Sequence, residues 1–262
     1  MGDEKVLKNL FKRLHLREGF LNVIAWIVGV FLVFNAIPSF ARSDFREETF
    51  YSSPKGAADF LSNIEINGNM FNEYGFGGYL IWRLYPEKKV FIDGRGLEPD
   101  VYKEYQNVIN VNKTQPQSWD DVIKKHNITY IIIPPLFYHG EIYGLVEQLF
   151  DSEDWALIYV DHLSLIFLRN NSDNFSLIKR LGIDKRRGLN TIIIQASAQA
   201  MQNPRNPYYL ISLGKVFFKM GRFDDAEKAF KMAYERDPDN AILMFWMQKV
   251  KNKRKNDVEV IQ

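Results

Sequence analysis

The sequence lacks cysteine altogether and has only four histidines in 262 residues. Without cysteine there can be no disulfides, thiol nucleophiles or thiolate metal sites. The histidines are His15, His126, His139 and His162, and no two have the spacing of metal ligands on one helix. We therefore predict no metal site and no cofactor.

A large excess of one charge is also missing. The chain has 34 basic and 32 acidic residues, for a net charge of +2, so nothing indicates a nucleic-acid partner. No Gly-x-Ser-x-Gly nucleophile elbow occurs either. The length allows one large or two small domains, each able to bury a core.

One long apolar segment lies near the N-terminus. Residues 19–41 carry no charged side chain and are long enough to cross roughly 30 Å of hydrocarbon. We predict a transmembrane helix there, between a basic leader at 1–18 and a tether at 42–53. The alternative is a signal peptide, because Ser39 and Ala41 resemble a cleavage site, but the long charged leader favours an uncleaved anchor.

The basic residues of the leader indicate the orientation of this anchor. Positive charge stays on the cytoplasmic side, so the N-terminus is expected in the cytoplasm and everything after Arg42 outside it. We predict a single-pass protein of the inner, or cytoplasmic, membrane whose bulk is periplasmic or otherwise extracytoplasmic.

The stretch at residues 69–95 predicts two strands joined by a short helix. Asn69–Tyr74 forms the first strand, Tyr79–Leu84 the helix and Val90–Ile92 the second strand. Such βαβ units are right-handed, so the two strands are expected to be parallel and to end at one edge of the sheet.

Residues 54–169 as a whole predict an α/β domain, with a small Rossmann-like parallel sheet and an antiparallel hairpin. A third, β-branched strand is expected at 128–133, and the hairpin from the runs at 155–160 and 163–168. Further helices are predicted at 54–61, 99–110, 118–126 and 142–150.

Polar residues at the predicted strand ends form a candidate ligand crevice. Asn72 and Glu73 follow the first strand, and Asp93 and Arg95 follow the second. The two carboxylates could serve as a glycosidase pair, but structural pairing of Asp93 with Arg95 is favoured, and no catalytic residue is assigned.

The glycine-rich turn at Gly75–Gly78 lies where a phosphate-binding turn would lie. The dinucleotide fingerprint requires a glycine at the position of Leu80, and no P-loop lysine follows. The favoured interpretation is that small residues allow close packing of the helix.

After a polar break at 170–173, residues 174–253 predict a helical array, followed by a basic tail at 254–262. Within it, residues 207–240 fit the spacing of a tetratricopeptide repeat. The matching residues are Leu210, Leu213, Gly214, Phe217, Gly221, Ala226, Phe230, Ala233 and Pro238. Helices at 189–202 and 241–250 are expected to cover this repeat.

Such arrays bind extended or helical segments in their concave face. We predict that Tyr209, Phe218 and Lys219 lie at exposed positions on a partner-binding face. The basic residues near the C-terminus are interpreted as a solvated tail. They are Lys249, Lys251, Lys253, Arg254 and Lys255.

Residues 54–169 resemble the soluble domain that follows the last membrane helix in certain bacterial polytopic proteins. The resemblance rests on Phe71–Leu84, Val90–Arg95 and Ile131–Pro135. Those proteins are similar to GT-C glycosyltransferases, and some carry C-terminal tetratricopeptide repeats. Enzymes of that class hold a catalytic carboxylate between early membrane helices, and no residue here corresponds to it, so the activity does not transfer.

Two functions remain open. The favoured one is non-enzymatic: a membrane-anchored scaffold or accessory subunit that binds a membrane-protein partner or peptide through the repeat. The other is the soluble part of a split GT-C-like glycosyltransferase system, or a glycan-binding module in cell-envelope assembly.

Overall fold

The computed structural model describes residues 53–95, 98–111 and 117–259. Within those ranges, no helix is both long and apolar enough to cross a membrane. The transmembrane helix predicted at residues 19–41 lies outside the described residues, as do the leader and nearly all of the tether.

The described residues form a mixed α/β structure followed by helices. In chain order the elements are α1 (Lys55–Ser62), β1 (Asn69–Asn72), α2 (Gly77–Leu84), α3 (Pro99–Ile109), α4 (Gln117–Lys125), β2 (Ile128–Ile133), α5 (Gly144–Asp151), β3 (Trp155–Val160), β4 (Leu165–Arg169), α6 (Phe175–Leu181), α7 (Lys185–Gln202), α8 (Tyr208–Lys219), α9 (Phe223–Tyr234) and α10 (Ala241–Glu259). A single 3₁₀ turn at Tyr74–Phe76 precedes α2.

The described strands form one four-stranded sheet in the order β1-β2-β4-β3. β1 and β2 are parallel, whereas β4 runs antiparallel to both β2 and β3. The predicted hairpin is therefore confirmed. The Rossmann-like arrangement with three parallel strands was wrong, since the described part of the sheet contains one parallel pair.

The predicted strand at Val90–Ile92 is the reason for this difference, because that segment joins no sheet. The side chain of Asn72 bonds to it in place of a neighbouring strand. The Phe91 N–H donates to Asn72 Oδ1 at 2.8 Å, and Asn72 Nδ2 donates to the Ile92 carbonyl at 2.8 Å. Ile92 is buried and Phe91 is half-buried. The apolar character of this segment therefore reflects packing against the core and not pairing with a neighbouring strand.

Both faces of the sheet are covered, as expected for its apolar strands. Met70, Tyr130 and Ile166 belong to a cluster that includes residues of α1 and α2. Phe71, Ile131 and Phe167 belong to a second cluster, which includes residues of α3, α4 and α5 and continues into α7–α10.

This second cluster joins the sheet to the helical array. Gly188 allows α7 to approach closely, because a Cβ at this position would lie 2.8 Å from the ring of Phe150 and 3.0 Å from Leu157. Further along α7, Ile192 and Ala196 are fully buried. The hydrophobic core is therefore continuous across the polar break at residues 170–173.

Candidate functional site

The first of the residues predicted to form a strand-end crevice is Asn72, the last residue of β1. Its side chain is fully buried and donates to the carbonyls of Glu73 and Ile92, both at 2.8 Å, while accepting from the Phe91 N–H. A buried amide without these partners would be costly. The hydrogen bonds identify Asn72 as the connection between β1 and the 91–92 segment.

Glu73 lies beside it and caps the turn that leads into α2. Its carboxylate accepts from the Gly75 N–H at 2.8 Å. Burial raises the pKa of Glu73, an effect that hydrogen bonds from the Gly75 and Phe76 N–H groups and the Tyr105 hydroxyl oppose in part. Burial likewise raises the pKa of Tyr105.

Asp93 and Arg95 form a bidentate ion pair. Arg95 Nε and Nη2 donate to the two carboxylate oxygens at 2.8 and 2.7 Å, and the Arg95 N–H donates to Asp93 Oδ1 at 2.9 Å. The hydrogen bonds from the Arg95 side chain lower the pKa of Asp93 to about 2. The structural pairing of these two residues is therefore present.

The glycine turn brings the same segment against α2. A Cβ at Gly77 would lie 2.2 Å from the Ile92 carbonyl oxygen and 2.6 Å from Asp93 Cα. Gly78, in contrast, has open space around it. Glycine is required at position 77 because the backbone at residues 92–93 passes directly over the start of α2. This agrees with the interpretation that the small residues of the turn allow close packing of the helix.

Two of the three histidines in the described region contact carboxylates. His126 Nε2 lies 2.6 Å from Glu104, and His139 Nε2 lies 2.9 Å from Glu141. Across residues 53–95, 98–111 and 117–259, no group of three or more His, Asp or Glu side chains is arranged to hold a metal ion.

The second candidate site is the α8–α9 helical hairpin. Gly214 permits its close packing, because a Cβ there would lie 2.3 Å from the ring of Phe230. Ala226, Phe230 and Ala233 are fully buried in the seam. Beyond the hairpin, Trp246 of α10 stacks on Phe230 with ring centroids 6.3 Å apart.

The three predicted partner-binding residues occupy different environments. Tyr209 is only 6% exposed, so the expectation of an exposed position was wrong for this residue. Its ring packs on Gly140, and its hydroxyl donates to the Tyr138 carbonyl at 3.0 Å. Phe218 is half-buried and Lys219 is exposed.

Part of the α8 surface is covered by the α/β domain of the same chain. The Ser212 hydroxyl, which is buried, donates to the Gly140 carbonyl at 2.7 Å. Lys215 forms an ion pair with Glu147 at 3.0 Å, and Lys219 forms one with Asp151. The loop before α5 and α5 itself therefore contact the repeat directly.

Next to this contact is a cleft of about 170 Å³, which we call the repeat cleft. It is lined by residues of α5, α7, α8 and α10 and by Ile142. Its lining residues include Phe218, Lys219, Trp246 and Lys249. Two of the three predicted partner-binding residues are thus brought together here, and Tyr209 does not line the cleft.

Lys249 is the functional candidate that the sequence interpretation missed. Its ammonium group lies 4.4 Å from the centroid of Trp246 and 5.2 Å from that of Phe218. In the described part of the chain, it has no carboxylate partner. Lys249 is exposed, as the interpretation of a solvated tail implies, but its position over the two rings was not predicted. It lies one repeat length after Lys215.

Comparison with known proteins identifies the helical hairpin α8–α9. A tetratricopeptide repeat family model matches residues 207–240, which span α8 and α9. Searches of curated proteins and of solved structures gave no match. The chain therefore contains a tetratricopeptide repeat, which supports a role in protein–protein interaction.

Proposed function

We propose that this protein is a membrane-anchored scaffold or accessory subunit whose repeat cleft binds a segment of a partner protein. The observation that carries the proposal is the cleft itself, which lies against a matched tetratricopeptide repeat and is lined by aromatic rings and lysines. Repeats of this kind bind extended or helical segments.

The charges around the cleft indicate the chemistry of that segment. Lys215 and Lys219 are already paired with Glu147 and Asp151 of the same chain. Lys249 lies over aromatic rings instead, which leaves its positive charge available to a carboxylate. A partner segment with an apolar side chain and a neighbouring acidic residue fits this arrangement.

The proposed location rests on the sequence. Residues 19–41 form the predicted anchor, and the basic leader before them favours a cytoplasmic N-terminus. The resemblance of residues 54–169 to extracytoplasmic domains of GT-C-like proteins supports the same orientation. The partner is accordingly expected on the periplasmic or extracytoplasmic side of the membrane.

A charge reversal at Lys249 tests the proposal. The full-length protein and its Lys249→Glu variant are purified from native membranes in mild detergent, and their copurifying proteins are quantified by mass spectrometry. Lys251→Glu is the matched control, because Lys251 is an exposed lysine on the same helix outside the cleft. A point change is preferable to removing α8–α10, whose Leu210 and Phe230 belong to the core.

We expect Lys249→Glu to lose a specific partner that the wild type, Lys251→Glu and the charge-conserving Lys249→Arg variant all retain. Addition of a peptide from that partner's binding segment should displace it from the wild type. If all four chains retain the same partners, the repeat cleft is not the binding site and the proposal fails.

A further inference from the structure

Three aromatic side chains form a stripe on α2 and the turn after it, at Tyr79, Trp82 and Tyr85. Trp82 is 72% exposed and Tyr85 is 65% exposed. The Tyr79 and Trp82 rings meet edge to face, with their centroids 5.5 Å apart. The opposite face of α2 is buried through Leu80 and Leu84, and Tyr79 is half-buried against the same cluster. Trp82 and Tyr85 therefore form the outer part of the stripe.

Charged residues lie close to the stripe in the sequence, and one of them contacts it. The Arg83 guanidinium lies 5.6 Å from the centroid of Trp82 and also pairs with Asp59. Lys88 donates to the Ile64 carbonyl at 3.0 Å, whereas Lys89 and Glu87 are exposed. Amphipathic rings next to charged groups match the composition of membrane–water interfaces, where tryptophan and tyrosine are enriched.

The position of the stripe in the fold separates it from the repeat. α1 and α2 supply the cluster on one face of the sheet, and α8–α10 belong to the cluster that begins on the other face. The sheet therefore lies between α2 and the helices of the repeat cleft.

The length of the chain before α1 limits how far this domain can lie from the membrane. The predicted transmembrane helix ends at Ala41, and α1 begins at Lys55. The intervening residues 42–54 can span at most roughly 45 Å when fully extended. α1 packs against α2 through buried residues that include Ala58 and Leu80.

We propose that the stripe of Tyr79, Trp82 and Tyr85 rests in the interfacial region of the bilayer that holds the chain's own anchor. This inference rests on the membrane anchoring in the proposed function. It adds a second contact with the membrane, which would fix the orientation of the domain and direct the repeat cleft away from the lipid.

The absence of cysteine makes the proposal directly testable. The full-length protein is prepared as Glu87→Cys, labelled with an environment-sensitive fluorophore and reconstituted into phosphatidylcholine–phosphatidylglycerol vesicles containing a headgroup spin-labelled lipid. The matched control is Met201→Cys on α7, which is exposed and lies beyond the opposite face of the sheet. We expect a blue-shifted emission and strong quenching at position 87, and neither at position 201.

A second substitution separates contact through the stripe from mere tethering. In the Glu87→Cys background, Trp82→Ser with Tyr85→Ser should abolish the blue shift and the quenching. Tyr138→Ser, which removes an exposed aromatic ring outside the stripe, should leave both unchanged.

The possible failures are distinguishable. If the protein stays with the vesicles after alkaline washing but position 87 is no more quenched than position 201, the inference about the stripe is overturned and the anchor stands. If the protein does not remain with the vesicles, both the anchor and the stripe proposal are overturned. Binding of a partner at the repeat cleft is measured separately and is unaffected by either result.

Discussion

The side-chain amide of Asn72 donates a hydrogen bond of 2.8 Å to the carbonyl of Ile92, twenty residues further along the chain. The same side chain accepts from the N–H of Phe91, so one amide bonds to the neighbouring segment as a strand would. This contact joins the end of β1 to the segment that leads into the Asp93–Arg95 pair.

We expect Asn72→Ala to lower the free energy of unfolding by about 2–4 kcal/mol, because it leaves buried backbone groups without partners. Urea titration followed by circular dichroism measures the effect. Asn69→Ala is the control, since Asn69 also bonds to a backbone carbonyl but is exposed, and it should cost less than about 1 kcal/mol. Equal losses in the two variants would contradict this role for Asn72.

The two glycines that begin α2 should respond oppositely to alanine. Gly77→Ala places a methyl group against the Ile92 carbonyl and should destabilise the protein by about 2–3 kcal/mol. The methyl group of Gly78→Ala has no atom within 4 Å, so this variant should be more stable by about 0.5–1 kcal/mol because alanine has the higher helix propensity. Thermal unfolding of both variants measures these changes in stability. If Gly77→Ala is as stable as the wild type, the backbone at residues 92–93 does not lie over the helix.

A comparison of Gly140 with Gly221 tests the contact between the α/β domain and the repeat. Both have positive φ, +101° and +74°, but only Gly140 lies against another side chain, the ring of Tyr209. Gly140→Ala should lower the free energy of unfolding by about 2–4 kcal/mol, because backbone strain and the clash with Tyr209 add together. Gly221→Ala should cost only about 1–2 kcal/mol of backbone strain. Chemical denaturation gives both values, and equal costs would argue against the contact.

The pH dependence of stability should distinguish Asp93 from Glu73. Because the pKa of Asp93 is lowered to about 2 from 3.8, its contribution is complete above about pH 4 and is lost as the pH falls toward 2. Wild type should therefore lose its stability advantage over Asp93→Asn in that window.

Glu73 should show the opposite sign. Its pKa is raised above 4.5, so the neutral form is favoured in the folded protein and stability falls as the pH rises through and above that value. Glu73→Gln should therefore gain stability relative to wild type as the pH increases. Unfolding curves collected from pH 2 to pH 8 test both residues, and parallel profiles would refute both assignments.

Local patterns in the sequence predicted most of the helices, the hairpin and the repeat. The apolar runs of β3 and β4 are nearly continuous and are separated by only a few residues, so a hairpin is the simplest connection between them. The fixed spacing of Gly214, Ala226 and Phe230 is a property of one helical hairpin and needs no distant contact.

The contacts within the candidate sites were harder to predict from local sequence patterns. The pairing of Asp93 with Arg95 was anticipated, but a sequence does not show that the amide side chain of Asn72 will bond to the 91–92 segment in place of a strand ladder. Lys249 was grouped with the other basic residues near the C-terminus, and the group as a whole was interpreted as a solvated tail. Its position over Trp246 depends on how α10 packs on α8 and α9.

The sequence by itself determined the elements whose signal is local: helix periodicity, the β-branched strand at Ile128–Ile133 and the residues of the repeat. Only the tertiary structure decided that Val90–Ile92 stays outside the sheet and that Tyr209 is buried against Gly140. Those outcomes depend on contacts between residues about twenty to seventy positions apart. No local pattern encodes such contacts, because an apolar segment acquires its packing partner only when the chain is folded.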